Sequence, residues 1–207
     1  METHTLRLVN GTSALSVSSL LDAELAKDRW DARNIPGLAY QPHGNSHYIN
    51  FSCVPEVFRS AVKDYVTSQL ASGRVAKTLN WSAYCLGDFF TFFAQRYPHT
   101  CNLHALCAQD IDAFVTHLKA TAVARQLKDR YQYICHRVCV LEAFLNYLER
   151  VQHSLKPMEP AARLIWPYHY PKRETKGTTS VKYIPPSVLS QLESHMQRLP
   201  PACIPIV

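Results

Sequence analysis

The fold class predicted by this sequence is mainly α, centred on a bundle of four helices, and three observations carry that expectation. Four stretches repeat apolar residues at three- and four-residue steps, the period of one helix face. Turn-forming residues such as Gly73 and Pro98 fall where those stripes end, not inside them. The connections between the stretches are short, so each stripe must be buried against another.

Taken in order, residues 1–52 read as a mixed N-terminal extension. TLRLV and YINFS are candidate short strands. Ser19-Leu-Leu-Asp22 resembles a capping box that opens a helix running to about Trp30. The stretch NIPGLAYQPHGN between them is loop material. The bundle is expected over residues 53–151. Its first helix runs from about Pro55 to Gly73 with Phe58, Val62, Tyr65, Val66 and Leu70 inward. The second runs from about Ala76 to Tyr97 with Leu79, Ala83, Leu86, Phe90, Phe93 and Tyr97 inward. A third, about Ala108 to Lys119, turns Ile111, Phe114, Val115 and Leu118 inward. A fourth, about Arg125 to Val151, does so with Leu127, Tyr131, Ile134, Val138, Leu141, Leu145 and Leu148. Residues 152–182 carry Pro157, Pro160, Pro167 and Pro171 and read as a basic interdomain linker. Residues 183–207 begin again: Pro185 and Pro186 suit a first helical turn, and Val188, Leu189, Leu192, Met196 and Leu199 form a stripe after them.

The 207 residues are 47% hydrophobic and 18% charged, enough for one core and part of a second. No apolar run approaches the roughly 18 residues that span a bilayer, and METHTLRLVNGTS lacks the basic start and apolar stretch of a signal peptide. The seven cysteines are then expected as reduced thiols in the cytoplasm. Acyl-transfer and cofactor chemistry find no support. There is no Gly-x-Ser-x-Gly, no phosphate-cradling glycine loop and no pair of carboxylates on one face. With 6 glycines in all, no cofactor or small-molecule substrate is expected.

The net charge is +6, and residues 161–183 hold Arg163, Lys172, Arg173, Lys176 and Lys182 against Glu174 alone. Such a segment favours a polyanion, most simply a nucleic-acid backbone, or else is a linker kept solvated by its charge. The second helix opens on Arg74, Lys77 and Thr78, where free amides, the helix dipole and a hydroxyl suit a phosphate; an ordinary solvated cap is the alternative. On the fourth helix Gln126, Arg130, Tyr133 and Arg137 lie along one flank, with Arg125, Lys128, Gln132 and His136 further round. These side chains can reach phosphates and base edges, or form a plain polar face. Cys101, His104 and Cys107, with Cys135 and Cys139 one turn apart, would make a zinc site if the segments met, but their spacing fits no common zinc signature and core thiols are the preferred reading. No metal is expected.

The ordered set of segments resembles the N-terminal half of tyrosine recombinases, the phage-integrase family, closest to transposase-like members carried by mobile elements. The resemblance covers about Ser52 to Leu199. It rests on Lys63-Asp64-Tyr65 in the first helix, Lys77-Thr78-Leu79 opening the second, Phe144 to Leu148 closing the last, and Ile184-Pro185 after the linker. It implies a helical core-binding domain that forms one jaw of a clamp on double-stranded DNA, with other recombinase protomers as further partners, in a bacterial cytoplasm at the nucleoid. The DNA-contacting candidates are Arg74, Lys77, Thr78, Arg125, Lys128, Arg130, Tyr133, Arg137, Lys172, Arg173 and Lys176. In such enzymes the catalytic arginines, lysine, histidines and tyrosine nucleophile follow the helix that begins near Pro185. The sequence ends at Val207, so a DNA-binding half truncated before its chemistry is expected, and no tyrosine here takes the nucleophile's role. A helical protein-interaction module with an aromatic-rich surface is the alternative.

Overall fold

A computed structural model describes residues 13–41, 44, 47–172 and 185–196. The chain divides into two units, Met1–Lys172 and Arg173–Val207. In the first, the order is α1 (Ser13–Ala26), β1 (Arg29–Asp31), a 3-10 turn (Ala32–Asn34), β2 (Tyr48–Asn50), α2 (Glu56–Leu70), α3 (Ala76–Arg96), α4 (Ala108–Ala124), α5 (Arg130–Arg150), α6 (Ala161–Leu164) and a second 3-10 turn, Pro167–His169. In the second unit α7 spans Pro186–Met196, where the double proline predicts it. The mainly α expectation is met.

The four long helices pack as their stripes require. α3 lies against α2 and α5, and α4 against α5 and α3. Phe58 of α2 stacks on Phe90 of α3 at 4.4 Å, and Phe144 of α5 meets both Phe90 (5.7 Å) and Tyr65 (5.4 Å) edge-on. Phe89 reaches Phe114 of α4 at 5.2 Å. Edge and offset contacts of this kind add to the area term, because each ring's positive rim meets a negative face. α3 also passes close to the loop before α2. A Cβ at Gly87 would sit 2.9 Å from the Cys53 carbonyl oxygen and 3.0 Å from its thiol. Backbone cannot retreat as a flexible side chain can, so Gly87→Ala is expected to lower stability by about 2 kcal/mol. Urea unfolding checks this; an unchanged midpoint would show that the approach is slack.

The N-terminal segment differs from its expectation. The first helix already includes Ser13 and ends at Ala26, four residues short of Trp30. Trp30 instead lies in β1, antiparallel to β2, opposite Ile49; both are fully buried. Its indole N–H donates to the carbonyls of Leu25 and Lys27, both at 3.0 Å, and its ring lies 4.6 Å from Phe51. The partner of YINFS is therefore Arg29–Asp31; TLRLV lies outside the described residues. The Asn50 N–H donates to Asn80 of α3 (2.8 Å) and the Ala76 N–H to the Ala39 carbonyl (2.8 Å), so the extension is part of the same core.

Carboxylates hold this corner. Glu24, 3% exposed, accepts from the Asp31 N–H (2.6 Å), Asn34 Nδ2 (2.9 Å) and Lys27 Nζ (2.6 Å). Burial alone would raise its pKa; the hydrogen bonds from Lys27, Asp31 and Asn34 outweigh that and hold it below 4.5. The Arg33 guanidinium holds Asp31 down at about 2, and Lys63, with Arg59, lowers Asp28. Each folded pKa is depressed, so the stability these groups contribute is complete above about pH 4.5 and lost as pH falls through their folded values. The urea midpoint is expected to drop steeply below pH 4.5, and Glu24→Gln to flatten that fall. A pH-independent midpoint in this range would contradict the assignment.

The segment expected as linker also packs, as far as Lys172. Residues 152–172 form a strap. Leu155, Ala161, Leu164 and Ile165 are buried, and the Leu103 N–H donates to the Leu155 carbonyl. His169, 2% exposed, accepts from the Trp166 N–H at Nδ1 (2.8 Å) and meets Asp112 of α4 through Nε2 (2.9 Å). Tyr170 donates to Glu142 of α5. The prolines stop a long helix from forming here; they do not stop burial of the apolar side chains between them. His169→Ala is expected to lower stability by about 1–2 kcal/mol by leaving the Trp166 N–H without its partner. It should also speed tryptic cleavage at Arg163. Unchanged cleavage would show that the histidine does not pin the strap.

Candidate nucleic-acid interface

Gly73, with φ +70, turns the chain between α2 and α3, a backbone conformation that side-chain-bearing residues seldom adopt. α3 then starts with Ala76 buried and Lys77 and Thr78 exposed; Arg74 before it is exposed as well. One and two turns on, Trp81 and Tyr84 occupy the same side of α3, 43% and 36% exposed. Their rings stack at 5.6 Å with an interplanar angle of 26°. Asp88 follows one turn later.

From α5, Tyr133 and Arg137 meet this row. Arg137 is 1% exposed, its Nε donates to Asp88 Oδ2 at 2.7 Å, and its Nη1 donates to the Tyr133 carbonyl at 3.2 Å. Its guanidinium carbon lies 3.7 Å from the Tyr133 ring centroid, 5.4 Å from Trp81 and 5.7 Å from Tyr84. Its charge is thus balanced by one carboxylate and screened by three π faces. Arg137 is consequently not the groove-facing arginine expected from residue type. It is a buried tie between α3 and α5, because Asp88 and the aromatic faces satisfy it better than water-exposed helix flank would.

The remaining candidates sort by position. Arg130 is exposed at the first turn of α5, one turn before Tyr133, and the Asp129 carboxylate caps that turn by accepting from the Gln132 N–H (2.8 Å). Arg125, Gln126 and Lys128, expected on the fourth helix, lie instead in the α4–α5 connection. Gln126 takes φ +51, and the Leu127 N–H returns to the Ala122 carbonyl, closing α4. The Tyr84 phenol raises the Arg125 pKa, which places the Arg125 charge near the aromatic row. Burial raises the Tyr133 pKa, so its phenol stays protonated. Lys172 is exposed at the end of the strap. The strap meets α5 at Glu142, which lies about half a turn round the helix from Tyr133 and Arg137, so Lys172 is not gathered with them. Arg173 and Lys176 lie outside the described residues.

The cysteines take other roles. The Cys107 N–H and thiol both donate to Asp110, 3.1 and 3.2 Å away, in a capping box at the start of α4. His104 Nε2 lies 3.2 Å from the Ser154 carbonyl, and Cys101 and Cys139 are exposed. Among the described residues no group of three or more His, Cys, Asp or Glu side chains is placed to hold a metal ion, and no helix is long and apolar enough to cross a membrane.

Trp81, Tyr84 and Asp88 escape a reading that follows only basic residues. Their signal is a second stripe, Lys77, Trp81, Tyr84 and Asp88, at helical steps and offset from the apolar one.

The chain is similar to curated transposases. It is 28% identical over 180 residues to transposase B from transposon PsiTn554 of Staphylococcus aureus, and 27% identical over the same length to transposase B from transposon Tn554 in two strains of that species. Each match covers 86% of this chain and 26% of the relative, so the chain spans about a quarter of the length of the curated relatives it matches. No family model and no solved structure matches the chain.

Proposed function

We propose that the face built by the start of α3, the α4–α5 connection and the start of α5 binds double-stranded DNA as part of a transposase-type site-specific recombinase. The observation that carries this reading is the set of exposed cations, Arg74 and Lys77 at the start of α3 and Arg125 and Arg130 just before and at the start of α5, that precede along the chain the aromatic residues Trp81, Tyr84 and Tyr133 gathered around Arg137. The similarity to transposase B over most of the chain supports it. The Ala76 and Thr78 amides at this helix start are already donated to the Ala39 and Val75 carbonyls, so the free amides expected there do not carry the contact. Lys77 and Thr78 reach phosphate through their side chains, which fixes register and carries no direct sequence information. Arg130, with no carboxylate partner among the described residues, reads a base edge from α5's first turn, with a guanine as the fitting acceptor pair. In the finer form of the reading, residues 53–151 are the core-binding jaw of a tyrosine recombinase, with Lys172, Arg173 and Lys176 following the backbone beside it.

Competition binding with a preferred site and random duplexes tests the division of labour. Lys77→Ala is expected to weaken both alike. Arg130→Ala is expected to cost about 1–3 kcal/mol on the preferred site and far less on random DNA. If Arg130→Ala weakened both equally, α5 would supply charge alone. If neither duplex bound, the aromatic row would belong to a protein contact instead.

A further inference from the structure

Trp81 and Tyr84 are odd residues for a surface that only neutralises phosphate. An indole and a phenol, stacked on each other and 43% and 36% exposed, present π surface to solvent, with exposed Lys77 one turn before them on α3. Long basic side chains suffice for backbone contact with a paired duplex, whose bases already stack on one another. A base outside the stack has two bare faces, and a flat aromatic side chain beside positive charge is the surface that takes it. The row is also held rigid. Arg137 lies under it, 5.4 Å from Trp81 and 5.7 Å from Tyr84, fixed by Asp88 at 2.7 Å. Little rotamer freedom is therefore left to lose on binding.

We infer that the Trp81–Tyr84 platform stacks an unpaired nucleobase, so that the chain prefers DNA carrying an extrahelical or single-stranded base over fully paired duplex. This rests on the DNA-binding reading above and adds the state of the base that the face takes. Charge complementarity selects the occupant: Lys77 is exposed one turn before Trp81 on the same helix, Arg130 is exposed one turn before Tyr133, and Asp88, the acid that continues the row, is taken up by Arg137. An extrahelical base brings its own flanking phosphates to those cations.

Fluorescence provides the test. The full chain holds three tryptophans; Trp30 is fully buried and Trp166 is 49% exposed, so Trp166→Phe leaves Trp81 as the accessible indole. The probes are a short duplex, the same duplex with one unpaired adenine, and its single strand. Trp81 emission should be quenched by the latter two and little by the paired duplex, and the bulged duplex should bind about tenfold or more tighter than the paired one. Trp81→Ala should bring bulged-duplex affinity down to that variant's own paired-duplex affinity, abolishing the preference, and Trp81→Phe should retain part of it. If the paired duplex binds but the bulge neither quenches Trp81 nor tightens binding, the stacking proposal is wrong and the duplex reading stands. If no DNA binds, both are wrong.

Discussion

Arg137→Ala is expected to destabilise the protein by about 3 kcal/mol, the low end of the range for breaking a buried ion pair. Two losses combine. Asp88 keeps its charge without a partner, although it is 28% exposed and water relieves part of that cost. The Tyr133, Trp81 and Tyr84 rings lose the group they enclose, leaving a void between α3 and α5. Arg137→Met fills the void but still strands Asp88, so its cost should be smaller. Pairing Arg137→Met with Asp88→Ala should recover much of the loss, as a coupled pair does in a double-mutant cycle. Urea unfolding of the wild type, Arg137→Ala, Arg137→Met, Asp88→Ala and the double variant measures this. Additive single effects would show that Arg137 and Asp88 do not act as a pair.

Trp30→Ala should cost more, about 4 kcal/mol. The indole is fully buried, packs on Phe51, and fills the junction where α1, the two-stranded sheet and α3 meet. Its N–H also satisfies the carbonyls of Leu25 and Lys27 at the end of α1. Truncation opens a large cavity and leaves both carbonyls unmet. A melting temperature lowered by many degrees is the expected result. A fall of only one or two degrees would show that residues 13–51 are an appendage and not part of the core.

The four bundle helices were legible because each buries one stripe, and a stripe is a local pattern. Phe58 to Leu70, Leu79 to Tyr97, Ile111 to Leu118 and Ile134 to Leu148 all face inward as their spacing predicts, whereas Leu127 and Tyr131, also expected inward, are only part-buried and lie outside the core cluster. Boundaries were less so. α5 starts at Arg130 and not Arg125, because Asp129 caps it and Gln126 turns the chain at positive φ, neither of which interrupts the apolar period. The hairpin strands are three residues long, too short to display alternation. The strap was hidden by its prolines, although Leu155, Leu164 and Ile165 were the apolar residues to notice. In the site, the exposed cations were legible from their type. The burial of Arg137 was not, since its partners Asp88 and Trp81 lie on another helix, some fifty residues away in the chain.

The most direct test of the DNA-binding face is the salt dependence of duplex binding for the wild-type chain and for a variant with Lys77, Arg125 and Arg130 all replaced by alanine. Each cation paired with a phosphate releases condensed counterion, so log K falls linearly with log salt at about 0.9 unit per contact. The wild type should show a steep slope, and the variant a slope shallower by about three units with its fold unchanged by circular dichroism. A variant that binds with the wild-type slope, or a wild type whose affinity ignores salt, would contradict the assignment of this face to DNA.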